Sequence, residues 1–355
     1  MTEPNQMRAL VVSQPGVREY TLQYKDVPKA TGSKVLLRIK ASGLCHTDSM
    51  ILNGSFGGGW PLVGGHEPTG EVVALGNEAK GINVGDRVVA LLPRDPCAGK
   101  CPDCTIGDWR YCKFIHYGGI NVDGYFSEYA LVESKFCVHI PNSLKFEQAA
   151  PLSCAGVTVY AGIKKAKLKP KDVIAISGVG ALGYLGVQMS KAMGLRVVAI
   201  DVRPEPLELV RSLPPKLRPD LIIDASQSKT QDEIEKIKTL RPKGYTGWDG
   251  VDASILTSPD PSSYPFAANL TRSHGVLVLL AQPPKLEFDY STFLAKDLTL
   301  TGSLHGNEVD LKETVELVVS NKIQSDITCF SIDHHQQMLR AVESDNWKGK
   351  AVVVF

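Results

Sequence analysis

Length, composition and charge limit the kind of protein this chain can be. Its 355 residues, of which 43% are hydrophobic and 22% charged, are enough for a sizeable core in one large or two ordinary domains. With 39 basic and 38 acidic side chains the net charge is +1, which excludes the strong field that binds nucleic acid or an anionic membrane and favours a small, neutral partner.

Targeting signals are not evident in the sequence. The start, MTEPNQMRALVVSQPG, lacks the basic residues and apolar run of a signal peptide, and no stretch approaches the length of a transmembrane helix. We therefore expect a cytoplasmic protein. Thiols stay reduced in that compartment, so clustered cysteines indicate metal ligands or catalytic groups rather than disulfides.

The first part of the chain has the pattern of a β-rich domain. Between residue 7 and about 140, short apolar segments alternate with glycine and proline, as strands joined by turns do. The segments are MRALVV, KVLLRIKASG, GEVVALG, DRVVALL, YFSEYALV and FCVHIP.

From about residue 172 strands and helices alternate. DVIAISG and RVVAID are predicted strands, and ALGYLGVQMSKAMG between them is a predicted helix. Further strands are predicted at 221–225, 250–256 and 276–280. Helices after residue 303 and near 334–345 precede a final strand, KAVVVF. This alternation predicts an α/β unit with a doubly wound parallel sheet.

Four of the eight cysteines lie within sixteen residues, CAGKCPDCTIGDWRYC. Cys97, Cys101, Cys104 and Cys112 are spaced so that one short loop can deliver four thiolates to a tetrahedral zinc ion. Four sulfur ligands leave no open coordination position, so such a site would be structural. Four free thiols at this density are disfavoured. A zinc-ribbon nucleic-acid module would need a two-plus-two spacing and a basic patch, both of which the segment lacks.

Three further residues suggest a second, open metal site. Cys45, His66 and Cys154 occur in GLCHTDS, GGHEPTG and SCAG, each beside glycine or a strand end. Together they would form a Cys₂His set that leaves the fourth coordination position free for a substrate oxygen. Taken singly, such a residue is more often a buried or surface side chain than a ligand.

A glycine-rich turn predicts a dinucleotide site. Gly178, Gly180 and Gly183, with Val179 in the same turn, form G-x-G-x-x-G between a predicted strand and a predicted helix. Glycines there permit a tight turn and let backbone N–H groups approach a pyrophosphate at the helix N-terminus.

The residue that ends the next strand bears on cofactor choice. Asp201 follows Gly183 by eighteen residues, where a carboxylate can accept hydrogen bonds from both ribose hydroxyls and repel a 2′-phosphate. A solvated turn aspartate is the simpler alternative. Asp201 favours NAD over NADP, while Arg203 is a guanidinium that could accommodate the phosphate.

These motifs together resemble the medium-chain, zinc-dependent alcohol dehydrogenases, over nearly the whole chain. GLCHTD, PLVGGHEPTG, the cysteine loop, CAGVTVY, VIAISGVGALG with KAMGLRVVAID, and the closing GKAVV occur in the family's order. The resemblance implies a GroES-like β-rich catalytic domain over residues 1–158 and a Rossmann NAD-binding domain over 159–295. Residues 296–355 would be a C-terminal segment that completes the catalytic domain.

The resemblance also implies metal-site roles. Cys45, His66 and Cys154 would bind the catalytic zinc and the four loop cysteines a structural one, giving two zinc ions per subunit. Asp48 is similar to the carboxylate that orients the zinc-bound histidine, and Glu67 to the acidic neighbour of the metal.

Roles toward substrate and cofactor follow from the same resemblance. Thr47 matches the hydroxyl that meets the substrate oxygen. His46 and Lys350 fall where the family places cationic contacts to the cofactor pyrophosphate, and Thr158 lies near the nicotinamide position. The implied reaction is hydride transfer between an alcohol and NAD, with zinc as the Lewis acid.

Other functions stay open. An aldehyde reductase that prefers NADP would use the same scaffold, a zinc-free reductase would not need the Cys₂His set, and a non-enzymatic nucleotide-sensing or structural protein would bind cofactor without hydride transfer. We expect a small alcohol or aldehyde as substrate, no nucleic-acid or membrane partner, and a homo-oligomer that is either a dimer or a tetramer.

Several positions depart from the family pattern. Leu92 stands where the yeast-like enzymes have a bulky aromatic residue and Phe56 where they have another, so we predict substrates larger than ethanol. Met50 replaces a histidine that ends the proton relay in many members. The step from Cys97 to Cys101 is one residue longer than usual. The proline-rich stretches SLPPKLRPD and TSPDPSSYP are also unusual, and neither receives a role.

Overall fold

Two units divide the chain. The computed structural model describes residues 4–55, 57–97, 99–344 and 346–355. The first unit comprises Met1–Ala155, Asn307–Val315 and Asp326–Phe355. The second unit comprises Gly156–Gly306 and Glu316–Ser325.

The helices and strands fall into three successive stretches of the chain. The first stretch contains β1 (Gln6–Val12), β2 (Thr21–Asp26), β3 (Lys34–Gly43), α1 (His46–Leu52), β4 (Leu62–Val63), β5 (Glu67–Leu75), β6 (Arg87–Ala90), β7 (Pro93–Arg94), α2 (Pro102–Thr105), β8 (His116–Tyr117), β9 (Tyr129–Glu133), β10 (Cys137–His139) and α3 (Phe146–Ala149). The middle stretch contains α4 (Ala155–Lys165), β11 (Val173–Ser177), α5 (Ala181–Ala192), β12 (Arg196–Asp201), α6 (Pro204–Arg211), β13 (Leu221–Asp224), α7 (Thr230–Lys238), β14 (Val251–Leu256), α8 (Ser263–Leu270), β15 (Thr271–Leu279), α9 (Tyr290–Lys296) and β16 (Thr299–Gly302). The last stretch contains α10 (Glu308–Asn321), β17 (Ile327–Ser331), α11 (His335–Val342) and β18 (Lys350–Val354).

The first unit is built mainly of antiparallel strands. β10, β6, β5, β3, β18 and β17 follow one another across a seven-stranded sheet, in which β9 also pairs with β3. The segment KVLLRIKASG forms β3 as predicted. Val35, Leu37 and Ile39 of β3 enter one apolar cluster with Val72 and Val88, because alternate residues of a strand point to the same face. β3 ends at Gly43, two residues before Cys45, so its packing in the sheet positions Cys45.

The second unit contains a six-stranded parallel sheet. Its strand order is β13, β12, β11, β14, β15, β16, with helices in the connections between strands. The chain turns outward in opposite directions from β11 and β14, which makes the carboxyl ends of these two strands a topological switch point where ligands bind. The predicted doubly wound parallel sheet is therefore confirmed.

The division into units differs from the domain boundaries expected from sequence. β16 pairs in parallel with β15, so residues 296–306 lie in the second unit, as do Glu316–Ser325. The rest of the predicted C-terminal segment, Asn307–Val315 and Asp326–Phe355, lies in the first unit. The other division falls at Ala155, where α4 begins, rather than at residue 158. Which sheet a strand such as β16 joins depends on partners distant in sequence.

No helix among the described residues is both long enough and apolar enough to cross a membrane.

Asp252 joins strands at the amino edge of the parallel sheet. Its carboxylate accepts hydrogen bonds from the Val173 N–H at 2.7 Å, from Arg241 Nη1 at 2.7 Å and from Arg272 Nε at 2.6 Å. Burial alone would raise the pKa of Asp252, but the hydrogen bonds from the two arginines lower it below its ordinary value. The carboxylate thus stabilises the fold while it is ionised.

Replacing Asp252 by Asn should lower the free energy of unfolding by about 3 kcal/mol at neutral pH, because two arginines lose their anionic partner. The depressed pKa means that this stabilisation is present above the unfolded-state value, near pH 4, and is lost as pH falls through the folded-state value. Urea titrations should therefore show a smaller difference in the free energy of unfolding between the wild type and Asp252→Asn at pH 3 than at pH 7.

Asp249→Asn is the matched control, because that carboxylate is exposed and pairs with Lys238 at 3.1 Å. It should change the free energy of unfolding by less than about 0.5 kcal/mol. Equal losses for the two variants would contradict the role given to Asp252.

Candidate active site

Four potential metal ligands meet in the first unit. The ligand atoms of Cys45, His66, Glu67 and Cys154 all lie within 4.8 Å of one another. Cys45 immediately precedes α1, His66 immediately precedes β5, and Cys154 follows a short 3₁₀ turn before α4. His66 Nε2 and Glu67 Oε2 are buried and have no hydrogen-bond partner among the described residues. Two thiols, an imidazole and a carboxylate in this arrangement fit a zinc ion.

Asp48 orients two of these ligands at once. Its Oδ2 accepts a hydrogen bond from the Cys45 N–H at 2.8 Å, and its Oδ1 lies 3.1 Å from His66 Nδ1. Both Asp48 and His66 are only 1% exposed. A proton held on Nδ1 by this carboxylate leaves the Nε2 lone pair directed into the cluster. Burial would lower the pKa of His66, but the charge and hydrogen bond of Asp48 raise it well above its ordinary value.

One of the four ligands, Glu67, takes part in a buried ion pair. Lys350 Nζ donates to Glu67 Oε1 at 2.6 Å, and both side chains are buried. A Cβ on Gly43 would overlap Glu67 Oε2 and come within 3.2 Å of Lys350 Cε, so glycine is required where β3 ends. Burial raises the pKa of Glu67 to about 7, against the opposing charge of Lys350. The predicted pyrophosphate contact of Lys350 stays a prediction.

The local field favours a thiolate at Cys45. A hydrogen bond from the Cys154 thiol and the positive charges of Lys350 and His66 lower the pKa of Cys45 well below its ordinary value, despite burial. The thiolate is the form that binds metal. The same hydrogen bond raises the pKa of Cys154 well above its ordinary value, so Cys45 is the thiol of the pair that is shifted toward the metal-binding form.

Two aromatic rings pack against the turn that precedes His66. Sequence patterns did not predict this contact. Tyr20 and Phe126 pack edge to face with ring centroids 5.4 Å apart. The Tyr20 ring occupies the place of a Cβ on Gly64, and a Cβ on Gly65 would meet the Phe126 ring at 2.5 Å. The two glycines before His66 were the available signal, because paired glycines often mark a close approach.

The remaining residues of GLCHTDS lie on α1. Thr47 is partly buried, and its Oγ1 lies 3.9 Å from Cys45 Sγ, so its hydroxyl borders the ligand cluster. His46 is exposed, which leaves its imidazole available to an anionic ligand. Met50 is partly buried on the same helix.

The four loop cysteines also come together. The ligand atoms of Cys97, Cys101, Cys104 and Cys112 lie within 4.8 Å of one another. The extra residue between Cys97 and Cys101 is absorbed by a turn in which the Lys100 N–H donates to the Cys97 carbonyl at 3.2 Å. Gly99 in this turn has φ +91°, which a residue with a side chain rarely adopts. Because of this turn, Cys97 stays in the cluster although its spacing to Cys101 is one residue longer than usual.

A tryptophan anchors this loop to the rest of the first unit. Trp109 lies between the third and fourth cysteines, and its Nε1 donates to Glu308 Oε2 at 2.8 Å. Its ring packs on Phe136 with centroids 4.4 Å apart. The loop is thus tied to α10 and to the β-rich core.

The glycine-rich turn of the second unit follows β11 and leads into α5. A Cβ on Gly178 would lie 2.7 Å from the Ser258 nitrogen, and one on Gly183 would overlap the Gly178 carbonyl. Packing therefore requires glycine at both positions. The nearest atom to a Cβ on Gly180 would be Arg203 Nη2 at 3.9 Å, so that position keeps open space in front of the helix N-terminus. This space fits the pyrophosphate of a dinucleotide.

Asp201 is tied to the same turn. Its Oδ2 accepts from the Val179 N–H at 2.8 Å, and its Oδ1 accepts from the Val202 and Arg203 N–H groups at 2.9 and 3.0 Å. The Arg203 guanidinium is half exposed, with Nε 3.8 Å from Asp201 Oδ1. Thr158 is buried on α4.

One predicted pocket residue is part of a core. Leu92 is 6% exposed and packs in the apolar cluster that includes Ile51 of α1, Ile120 and Tyr125. Its side chain therefore belongs to the core of the first unit. The other predicted pocket residue, Phe56, lies outside the described residues.

Comparison with known proteins gives concordant matches. A family model described as alcohol dehydrogenase GroES-like domain matches residues 31–142, and one described as zinc-binding dehydrogenase matches residues 181–320. An alcohol dehydrogenase from Rhizobium meliloti is 31% identical over 354 residues, covering 98% of each chain. An alcohol dehydrogenase from Geobacillus stearothermophilus is 35% identical over 329 residues, covering 90% of this chain and 91% of that protein.

A solved structure matches the full length as well. Acetophenone reductase from Geotrichum candidum, in complex with NAD, superposes with a TM-score of 0.83 at 26% identity and covers 100% of this chain and 99% of that chain. The GroES-like and Rossmann parts of the predicted fold are both confirmed.

Replacing Asp48 by Ala should weaken zinc binding at the first cluster about 10- to 100-fold, because the backbone of Cys45 and the ring of His66 lose their common acceptor. After dialysis against a weak chelator, the zinc content per chain should be lower in Asp48→Ala than in the wild type treated in the same way.

Cys97→Ser is the matched variant for the loop cluster and should remove zinc from that cluster alone. The Asp48→Ala and Cys97→Ser losses should add in the double variant, because the two clusters share no ligand. Full zinc retention in Asp48→Ala would show that this carboxylate does not support the first cluster.

Proposed function

The chain belongs to the zinc-dependent alcohol dehydrogenase family, and from this premise we propose that it interconverts alcohols larger than ethanol with their aldehydes or ketones, using NAD(H). Cys45, His66 and Cys154 would hold the catalytic zinc. The observation that carries the proposal is the buried, open ligand set, in which His66 Nε2 has no partner among the described residues while Asp48 occupies the other ring nitrogen. A purely structural site would be closed by a fourth cysteine or histidine, whereas the fourth group here is Glu67, whose Oε1 is paired with Lys350.

The residues of the chain prepare the site for hydride transfer. When bound, zinc supplies a Lewis acid for the substrate oxygen, and NAD(H) supplies or accepts the hydride. Asp48 holds the His66 proton on Nδ1, while the pair of Lys350 and Glu67 balances charge beside the thiolates. Lys350 and the exposed His46 are also proposed to contact the cofactor pyrophosphate.

Proton transfer is proposed to begin at Thr47, whose hydroxyl borders the ligand cluster. The thioether of Met50 carries no proton, so the path beyond Thr47 uses water or another group. Glu67 is another proton acceptor in the ligand cluster, but its Oε1 is occupied by Lys350.

The loop cysteines are proposed to hold a second, structural zinc. Their four sulfurs complete a tetrahedral shell, so this ion would take no substrate. The link between Trp109 and Glu308 indicates that the ion stabilises the loop against the body of the first unit.

NAD is proposed as the preferred cofactor, on account of Asp201. Its carboxylate ends β12 and is fixed by three backbone N–H groups, so it cannot turn away from a 2′-phosphate. Arg203 supports the second candidate, a reductase that prefers NADP, because its half-exposed guanidinium lies beside Gly180. Thr158 is proposed to lie near the nicotinamide.

Substrates larger than ethanol are proposed because Leu92 stands where the yeast-like enzymes have a bulky aromatic residue. A related protein of 26% identity is named acetophenone reductase, and its substrate is an aromatic ketone. Aromatic and branched carbonyl compounds are accordingly the first class to test.

Self-association is a further part of the proposal. β16 is the outer strand of the parallel sheet, and Thr299, Leu300 and Gly302 on it are exposed. An outer strand presents unpaired N–H and C=O groups that a second copy can pair with.

The test of function is oxidation of NADH and of NADPH by the purified protein with acetaldehyde, benzaldehyde, acetophenone and branched aldehydes, before and after zinc chelation. We expect chelator-sensitive oxidation of NADH and a higher kcat/KM for the aromatic and branched compounds than for acetaldehyde. Cys154→Ser should abolish the activity while the loop cluster keeps its metal.

Two results would contradict the proposal. If neither NADH nor NADPH were oxidised with any of the compounds, the result would favour a protein that binds nucleotide without catalysis. A higher kcat/KM for acetaldehyde than for every larger compound would remove the substrate-size claim but not the reaction.

Asp201→Ala should lower the ratio of kcat/KM for NADH to that for NADPH by about tenfold or more, because the repulsion of a 2′-phosphate is lost. The measurement is initial rates with each cofactor at fixed benzaldehyde. Arg203→Ala is the paired variant, and under NAD preference it should leave the NADH rate nearly unchanged. A wild type that already favours NADPH, and loses that preference in Arg203→Ala, would support the reductase alternative.

A further inference from the structure

The proline-rich stretch TSPDPSSYP, which follows β14, contacts the glycine-rich turn directly. Thr257 is its first residue, and its Oγ1 lies 2.9 Å from the Ser177 carbonyl oxygen and 2.5 Å from that of Gly178. The backbone N–H groups of Thr257 and Ser258 also donate to the Ser177 carbonyl, at 2.9 and 3.1 Å. The end of β14 thus binds the end of β11 at the switch point of the sheet.

One peptide unit of the turn is held from both sides. The Gly178 carbonyl accepts from the Thr257 hydroxyl, and the Val179 N–H of the same peptide donates to Asp201 Oδ2 at 2.8 Å. The carbonyl and N–H of a trans peptide point in opposite directions, so the two contacts oppose rotation of the plane. Gly178, at φ +94°, is a residue whose backbone would otherwise rotate freely.

The segment that supplies Thr257 is itself fixed. The Tyr264 hydroxyl donates to the Ser258 carbonyl at 2.7 Å, and Tyr264 is fully buried. The Ser258 nitrogen fills the space that a Cβ on Gly178 would need. The segment that contacts the glycine-rich turn is therefore itself held in place by Tyr264 and by close packing against Gly178.

We propose that Thr257 is a positioning residue for dinucleotide binding: its hydroxyl fixes the Gly178–Val179 peptide and thereby the path of the turn into α5, whose N-terminal N–H groups meet the pyrophosphate. This inference rests on the proposed function, because it requires the turn to bind NAD(H). Since the pyrophosphate is common to NADH and NADPH, Thr257 supports both cofactors equally, whereas Asp201 also discriminates between them.

The test compares Thr257→Val, which keeps the shape and removes the hydroxyl, with Thr257→Ser, which keeps the hydroxyl. Titration of protein with NADH and NADPH should give a Kd about tenfold higher for Thr257→Val with both cofactors, the size expected for one lost hydrogen bond. Thr257→Ser should stay within about twofold of the wild type. In turnover, KM for NADH should rise while kcat at saturation is nearly unchanged.

Thr271→Val is the matched control. Thr271 is a buried threonine at the amino edge of the same sheet, and its hydroxyl donates to the Ala267 carbonyl at 2.8 Å. It should lower the thermal midpoint as Thr257→Val does and leave both Kd values unchanged. If Thr271→Val raised Kd as much as Thr257→Val does, the effect of Thr257 on Kd would be explained by a general loss of stability. That result would overturn the proposal.

Two outcomes separate this inference from the proposed function. Binding of NADH by the wild type, with the same Kd in Thr257→Val, would overturn the assignment of Thr257 alone. A wild type that binds neither NADH nor NADPH would overturn the proposed function and this assignment with it.

Discussion

The Asp48 carboxylate is the constraint on which the metal centre depends. It accepts from the backbone of Cys45 and from the ring of His66, and so couples two ligands that come from different elements of the first unit. A carboxylate this deeply buried is stable only with such donors. The ion pair of Glu67 and Lys350 adds a second buried carboxylate to the same cluster. The ends of β3, β5 and β18 meet where these two carboxylates are satisfied.

The second unit uses aspartates in the same way. Asp220 and Asp252 each accept a valine N–H of a neighbouring strand at the amino edge of the sheet, from Val197 and Val173 respectively, at 2.7 Å. Asp201 accepts from Val179 at the carboxyl edge. In each case a carboxylate accepts a hydrogen bond from a backbone N–H group near the edge of the sheet. The stretch SLPPKLRPD ends in Asp220, which gives this unusual segment a structural role.

Local patterns predicted much of this molecule, because they reflect contacts close in sequence. KVLLRIKASG and RVVAID gave the bounds of β3 and β12, and the cysteine and glycine motifs identified both ligand clusters and the turn. The partners of Gly64 and Gly65, namely Tyr20 and Phe126, could not be predicted, since only tertiary packing brings those rings to the turn. The same holds for Thr257 and for the sheet that β16 joins.

The contact between Lys350 and Glu67 joins residues 283 positions apart, and this separation has a consequence for biosynthesis. During translation the ligand-bearing strands leave the ribosome long before β18, so the nascent first unit holds Glu67 without its cation. A carboxylate in that state resists burial, which keeps the cluster open. The Glu67 side chain therefore reaches its paired, buried state only after β18 has been synthesised and has paired with β3.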